Sequence, residues 1–189
     1  MKKLRVFSVI ILLIGVALVG YAGYNYYIEK KTAQDNLDAF DKAKEEMANS
    51  GEVTDDLLNG KNVYCKLTFQ KLQKSIAVLN KADEETLKYG SGWLDTSKKL
   101  GENGLCVMMG HRDTTMNFLQ DVEGDETIIA ETLTEKYTYK VKEIKVVSPD
   151  DVLLGEDFNK KQLRLITCYP FSYFGSAPER YIITAELVE

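Results

Sequence analysis

The chain has 189 residues, 44% of them apolar and 28% charged, which is enough for one packed domain with additions. Its formal net charge is −5. Three of the 24 basic side chains, Lys2, Lys3 and Arg5, stand at the extreme N-terminus, so the rest of the chain sets 21 basic against 29 acidic groups. That balance argues against a nucleic-acid partner, which requires a basic face.

The N-terminus reads MKKLRVFSVIILLIGVALVGYAGYNYY, with the three positive charges ahead of an uncharged stretch from Val6 to Ile28. About 20 apolar residues cross a bilayer core as a helix. Tyr21, Tyr24, Tyr26 and Tyr27 sit at the far end, where an interfacial aromatic belt belongs. The basic tip stays inside, so the remainder lies outside. A cleaved signal peptide is the competing reading, but the apolar stretch is long for one and no convincing A-x-A site follows. Residues 1–28 are therefore read as a cytoplasmic tip and an uncleaved single-pass anchor in the cell membrane.

Residues 29–60 are charged, lack proline and are poor in β-branched side chains. Leu37, Phe40, Ala43, Lys44 and Met47 make a thin helical stripe that ends near Ser50-Gly51. The expectation is a helical stalk spacing the anchor from a folded domain; a regulatory lid is the sharper alternative. From Lys61 the texture is β. The runs CKLTFQ, SIAVLN, LCVMM, ETIIAET, YTYKVKEIKVV, LRLITCY and RYIITAELV are separated by GSG, GENG, EGDE and SPDD. DEETLKYG and TTMNFLQD each suit a helical turn or two. Short strands with few helices predict a closed barrel or a sandwich over 61–189.

Three strand ends carry chemistry. His111, the single histidine, closes the apolar run LCVMMG and opens HRDT. Cys168 ends LRLIT, and Arg180 begins YIITAEL, with a loop from Tyr169 to Glu179 between them. If the two flanking strands pair antiparallel, Cys168 and Arg180 meet at one rim of the sheet. A thiolate is a good nucleophile, and an imidazole beside it makes or stabilises it. A guanidinium stabilises the oxyanion formed by attack on an amide. Together they are a complete acyl-transfer set. The plainer reading is an ion-paired arginine, a buried thiol and a turn-capping histidine. Of the other cysteines, Cys106 lies in an apolar run and reads as a small core hydrophobe. Cys65 is undetermined, and a Cys65–Cys106 disulfide is one alternative. One histidine and three scattered cysteines show no metal-ligand spacing.

The stretch LITCYPFSYFGSAPER resembles the signature of the sortases, and of their class D members in particular. GHRDT, Gly110 to Thr114, matches that family's catalytic-histidine segment. VEGDE, Val122 to Glu126, resembles the turn that follows it, and VVSPDD the loop entering the last part of the barrel. The resemblance covers about residues 65–188. Many relatives have proline where Ala77 stands, Pro-Gly where Leu100-Gly101 stands, and asparagine near Leu105. These departures leave His111, Cys168 and Arg180 untouched.

The resemblance implies a mainly β fold, a closed sortase-type barrel of about seven or eight strands with short helices, preceded by the transmembrane helix. It also implies a cysteine transpeptidase on the outer face of a Gram-positive membrane. Cys168 would attack the threonine carbonyl of an LPxT-type sorting motif in a surface protein. His111 would protonate the departing amine. Arg180 would hold the oxyanion or the substrate backbone. An amine of peptidoglycan or its lipid-linked precursor would resolve the thioester. Thr167 would assist through its hydroxyl or backbone, and Val147, Val152 and Leu153 would line the substrate groove. No cofactor is expected; some sortases depend on calcium, but the acidic residues here form no diagnostic cluster. An unperturbed thiol titrates near ~8.5 and an imidazole near ~6.5, so a reverse-protonated minority would be the active form, with a bell-shaped pH profile. The aromatic residues of the Tyr169–Glu179 loop, Tyr169, Phe171, Tyr173 and Phe174, are expected in at least two cases to pack the loop onto the barrel. The competing readings are a membrane-anchored cysteine hydrolase and a non-catalytic extracellular binding domain.

Overall fold

The computed structural model describes residues 2–50, 62–152, 159–173 and 175–188. The chain begins with one long helix, α1 (Lys2–Ser50). Its N-terminal part carries a run of exposed apolar side chains from Val6 to Val19, followed by exposed Tyr21, Tyr24, Tyr26 and Tyr27. By length and composition it is a helix able to cross a membrane.

The C-terminal part of α1 lies against the folded domain. The stripe Leu37, Phe40, Ala43, Lys44, Met47 is the face it applies, as spacing of three and four residues on a helix dictates. Phe40 and Ala43 are fully buried. Phe40 packs with Val63, Ala77 and Leu79, flanked by Leu37 and Leu133. At the edge of this contact Lys44 donates to the carbonyl of Thr132 at 3.0 Å and pairs with Glu131 at 3.4 Å. Lys66 pairs with Asp41 at 2.6 Å.

The remaining elements are β1 (Val63–Phe69), β2 (Lys74–Leu79), a one-turn helix α2 (Glu84–Leu87), β3 (Ser91–Trp93) and β4 (Gly104–Met109). They continue with a 3-10 turn at Asn117–Asp121, β5 (Thr127–Glu131), β6 (Lys136–Val147), β7 (Lys161–Tyr169) and β8 (Glu179–Leu187). The strands close into a barrel in the order β1-β2-β3-β4-β7-β8-β6-β5. Both predicted helical turns are present, at α2 and at Asn117–Asp121. The seven predicted runs are all strands.

The eighth strand, β3, is only Ser91-Gly92-Trp93. It was hidden because a serine-glycine pair reads as a turn. Gly92 is there for space: a Cβ on it would sit 1.9 Å from the carbonyl oxygen of Lys81.

The interior follows the alternation of half-buried strands. Every second residue of β1 is buried, and Cys65, Leu67 and Phe69 join Cys106, Met108, Leu163, Leu165 and Ile183 in the main core. Cys65 and Cys106 carry free thiols on this inner wall, and burial pushes both up from the ordinary thiol range. Strands β4 and β7 do not alternate. They are buried on both faces because a second apolar cluster covers their outer side: Leu105 and Val107 of β4, Ile166 of β7 and Ile182 of β8.

Candidate active site

Strand register places the chemistry. β4 and β7 run parallel with Met109 opposite Ile166. One step beyond, the Gly110 amide donates to the Ile166 carbonyl at 3.3 Å, and Thr167 Oγ1 donates to the Gly110 carbonyl at 2.7 Å. β8 runs antiparallel to β7 with Arg180 opposite Cys168, and β6 sets Val147 opposite Arg180. Cys168, Arg180 and Val147 thus form one row across β7, β8 and β6, while His111 lies two residues past the end of β4, the strand on the other side of β7. Residues level in a ladder face the same side. Leu163 and Leu165 belong to the inner core and Ile166 to the outer cluster, so Cys168, two residues past Ile166, faces outward.

The turn after β4 holds His111 firmly. The Met116 amide donates to the His111 carbonyl at 3.0 Å, and Asn117 Nδ2 donates to the Arg112 carbonyl at 3.0 Å. Ser91 Oγ donates to Thr115 Oγ1 at 3.1 Å. Gly110 is packed so tightly that a Cβ would lie 2.7 Å from Ser91 Oγ and 2.9 Å from Met116 Cγ. His111 is exposed and Cys168 is half-buried.

Arg180 is held by its own loop. Its Nη1 donates to the carbonyls of Ala177 at 3.1 Å and Glu179 at 2.9 Å. The loop leaves β7 through a cis Tyr169–Pro170 bond. Tyr169 and Phe171 both pack on Tyr181, with ring centroids 6.1 and 5.1 Å away. Two loop aromatics therefore bind the loop to the barrel, as expected. Burial raises the Tyr181 phenol, and the neighbouring Tyr169 phenol adds to the rise. Tyr173 is exposed; Phe174 lies outside the described residues.

Below this row runs the outer apolar cluster. Val147 and Val152 are half-buried against it, together with Leu94 and Met109. Two of the predicted groove residues therefore stand on the same outer wall as Cys168. Leu153 lies outside the described residues. Thr167 stands apart from that wall. It is 2% exposed, and its hydroxyl reaches across to Gly110 rather than toward the groove.

Two arginines at this site were not singled out from the sequence. Arg164, only 4% exposed, sits in the outer wall of β7, where Nε donates to Thr184 Oγ1 at 3.2 Å and Nη1 to the Val152 carbonyl at 2.9 Å. A charge inside an apolar strand was the available signal, since such a group needs partners to be buried at all. Arg112 Nη2 donates to the carbonyls of Tyr173 at 2.9 Å and Gly175 at 3.1 Å. Its bonds depend on which loops meet, and nothing local in HRDT announces that.

The end of β7 therefore carries an outward thiol with a guanidinium opposite it on β8 and an imidazole from the turn after β4, above a buried apolar cluster, an arrangement suited to acyl transfer. Among the described residues no three His, Cys, Asp or Glu side chains cluster as a metal site.

Known proteins share this plan. The family model described as Sortase domain matches residues 67–188. Sortase D of Bacillus subtilis (strain 168) is 32% identical over 200 aligned positions that span all of both chains. Among solved structures, the catalytic domain of Bacillus anthracis SrtD is 34% identical with a TM-score of 0.56, covering 69% of this chain and 89% of that one. A Clostridium perfringens Sortase D5 transpeptidase superposes with a TM-score of 0.62 at 24% identity, over 86% of this chain and 99% of that one. Similarity in sequence and in barrel together places this chain in the sortase family, as a cysteine transpeptidase of the class D kind.

Proposed function

We propose that the protein is a membrane-anchored sortase that cuts an LPxT-type sorting motif after threonine and joins the released acyl group to an amine of the cell wall. The observation that carries this reading is the meeting, at the end of β7, of Cys168 with Arg180 opposite it on β8 and with the His111 turn that follows β4. The peptide would lie extended along that wall, with its leucine and proline against the half-buried Val147 and Val152. Cys168 Sγ, as thiolate, attacks the threonine carbonyl carbon, and the carbonyl oxygen takes the negative charge. Arg180, turning from the Ala177 and Glu179 carbonyls, donates to that oxygen or to the adjacent backbone. The C–N bond breaks as the His111 imidazolium gives its proton to the leaving amine, which leaves a thioester on Cys168. An incoming amine attacks the thioester and passes a proton to His111, the C–S bond breaks and the thiolate is restored.

In this reading Thr167 acts through position. Its bond to Gly110 fixes the strand end from which His111 projects. The apolar part of α1 spans the cell membrane once with the basic tip inside, which sets the barrel on the extracellular face, where surface proteins and wall amines meet.

The test is to incubate the full-length protein in detergent with a set of LPxTX peptides varied at x and at the last position, without added amine. Intact-protein mass spectrometry should find the LPxT acyl group on the wild type and none on Cys168→Ala. An adduct of equal yield on Cys168→Ala, or on no peptide of the set, would contradict the reading.

A further inference from the structure

Arg112 follows His111 directly, yet the acyl-transfer chemistry gives it no part. Its surroundings are unusual. Nη2 bridges two carbonyls of the β7–β8 loop, Tyr173 and Gly175, and the guanidinium carbon lies 5.8 Å from the Tyr173 ring centre. Among the described residues Nη1 is buried without a hydrogen-bond partner, so the polar anchorage of the side chain is the pair of loop carbonyls held by Nη2.

The two sides joined by this side chain differ in how they are held. The His111 turn has its own bonds, from the Met116 amide, Asn117 and Thr167. The far half of the β7–β8 loop is less secured. Tyr169 and Phe171 anchor its start on Tyr181, while Tyr173, Gly175 and Ser176 are exposed. The two N–H groups of Nη2 are fixed in the guanidinium plane, one for each carbonyl, a preorganised geometry that the freely rotating ammonium of a lysine does not keep.

We propose that Arg112 is a positioning residue. It latches the β7–β8 loop against the His111 turn and so sets the wall that closes over a bound peptide beside Cys168. The role of the loop toward peptide rests on the sortase reading above; the latch itself does not.

Two readouts on the full-length protein in detergent test this with Arg112→Ala, and with Arg112→Lys to keep the charge. The first is limited chymotrypsin digestion, followed by mass spectrometry for cuts within residues 169–179. Both variants should be cut about tenfold faster there than wild type, at an unchanged Tm, since about tenfold is what one charge-assisted hydrogen bond is worth. The second is steady-state cleavage of the best peptide of the LPxTX set. KM should rise about tenfold with kcat within about threefold, because His111 keeps its other supports. Wild-type digestion rates in both variants would overturn the latch. Faster digestion with unchanged KM would overturn its role toward the peptide. If wild type cleaves no peptide, the LPxT reading fails while the digestion still decides the latch.

Discussion

Cys168 is half-buried on an outer rim, while Cys65 and Cys106 point into the barrel core with their thiols pushed upward by burial. Thiol chemistry needs both access and thiolate. Treatment of the native protein with iodoacetamide at neutral pH should therefore add one label, at Cys168, and denaturation should expose the other two. Peptide mapping checks this, and labelling of Cys65 or Cys106 in the folded protein would contradict the burial. At this scale the sequence was informative where a residue ended a strand. His111, Cys168 and Arg180 could each be picked out because an apolar run stopped or started there. Thr167 was harder. It reads from the sequence as assisting through its hydroxyl or its backbone; the parallel pairing of β4 with β7 directs the hydroxyl to the Gly110 carbonyl, and that pairing is not written in either strand alone.

Among the elements, β7 does the most to build the site. It pairs with β4 on one side and β8 on the other, so a single strand end gathers His111 and Arg180 around Cys168. Its unbroken apolar run, like that of β4, signalled burial on both faces. What covers the outer face could not be read, because Leu94, Val147 and Val152 arrive from distant parts of the chain. Arg164 fastens one of those covers by holding the Val152 carbonyl. Arg164→Met keeps the apolar stem and loses the bonds. It should raise KM for the peptide about fivefold, on the order of 1 kcal/mol, and leave kcat nearly unchanged. Initial-rate kinetics on the full-length protein check this; a fall in kcat at constant KM would place Arg164 in the chemistry instead. β3 was missed for a different reason. Three residues with a central glycine carry no period to detect, and Gly92 is explained only by the Lys81 carbonyl that crosses it.

Over the whole molecule, α1 serves two environments. Its exposed apolar half suits a bilayer, and its second half is packed on the barrel through Phe40 and Ala43. The amphipathic stripe was visible in the sequence as spacing; the surface it meets, built from β1, β2 and the β5–β6 turn, was not. Stability of the whole should also depend on pH through its buried thiols. Burial raises the Cys65 and Cys106 thiols above the ordinary thiol range near ~8.5, so well below that range neither state ionises them and their contribution is complete. Above it the unfolded chain releases protons that the folded chain keeps, so stability falls as pH rises, by up to about 1.4 kcal/mol per pH unit per thiol. Thermal melts should thus lose Tm more steeply from pH 9 to 10 in the wild type than in a Cys65→Ala/Cys106→Ala double variant. Equal slopes would contradict the assignment.

If Cys168 passes an acyl group from a sorting peptide to an amine, the transfer is visible when the full-length protein in detergent is mixed with an LPxTX peptide and a small amine acceptor and the products are weighed by mass spectrometry, with Cys168→Ala alongside. Wild type should yield an amine-ligated LPxT product and the variant none. Cleaved peptide without ligation would replace the transpeptidase with a hydrolase, and ligated product from both proteins would remove Cys168 from the chemistry.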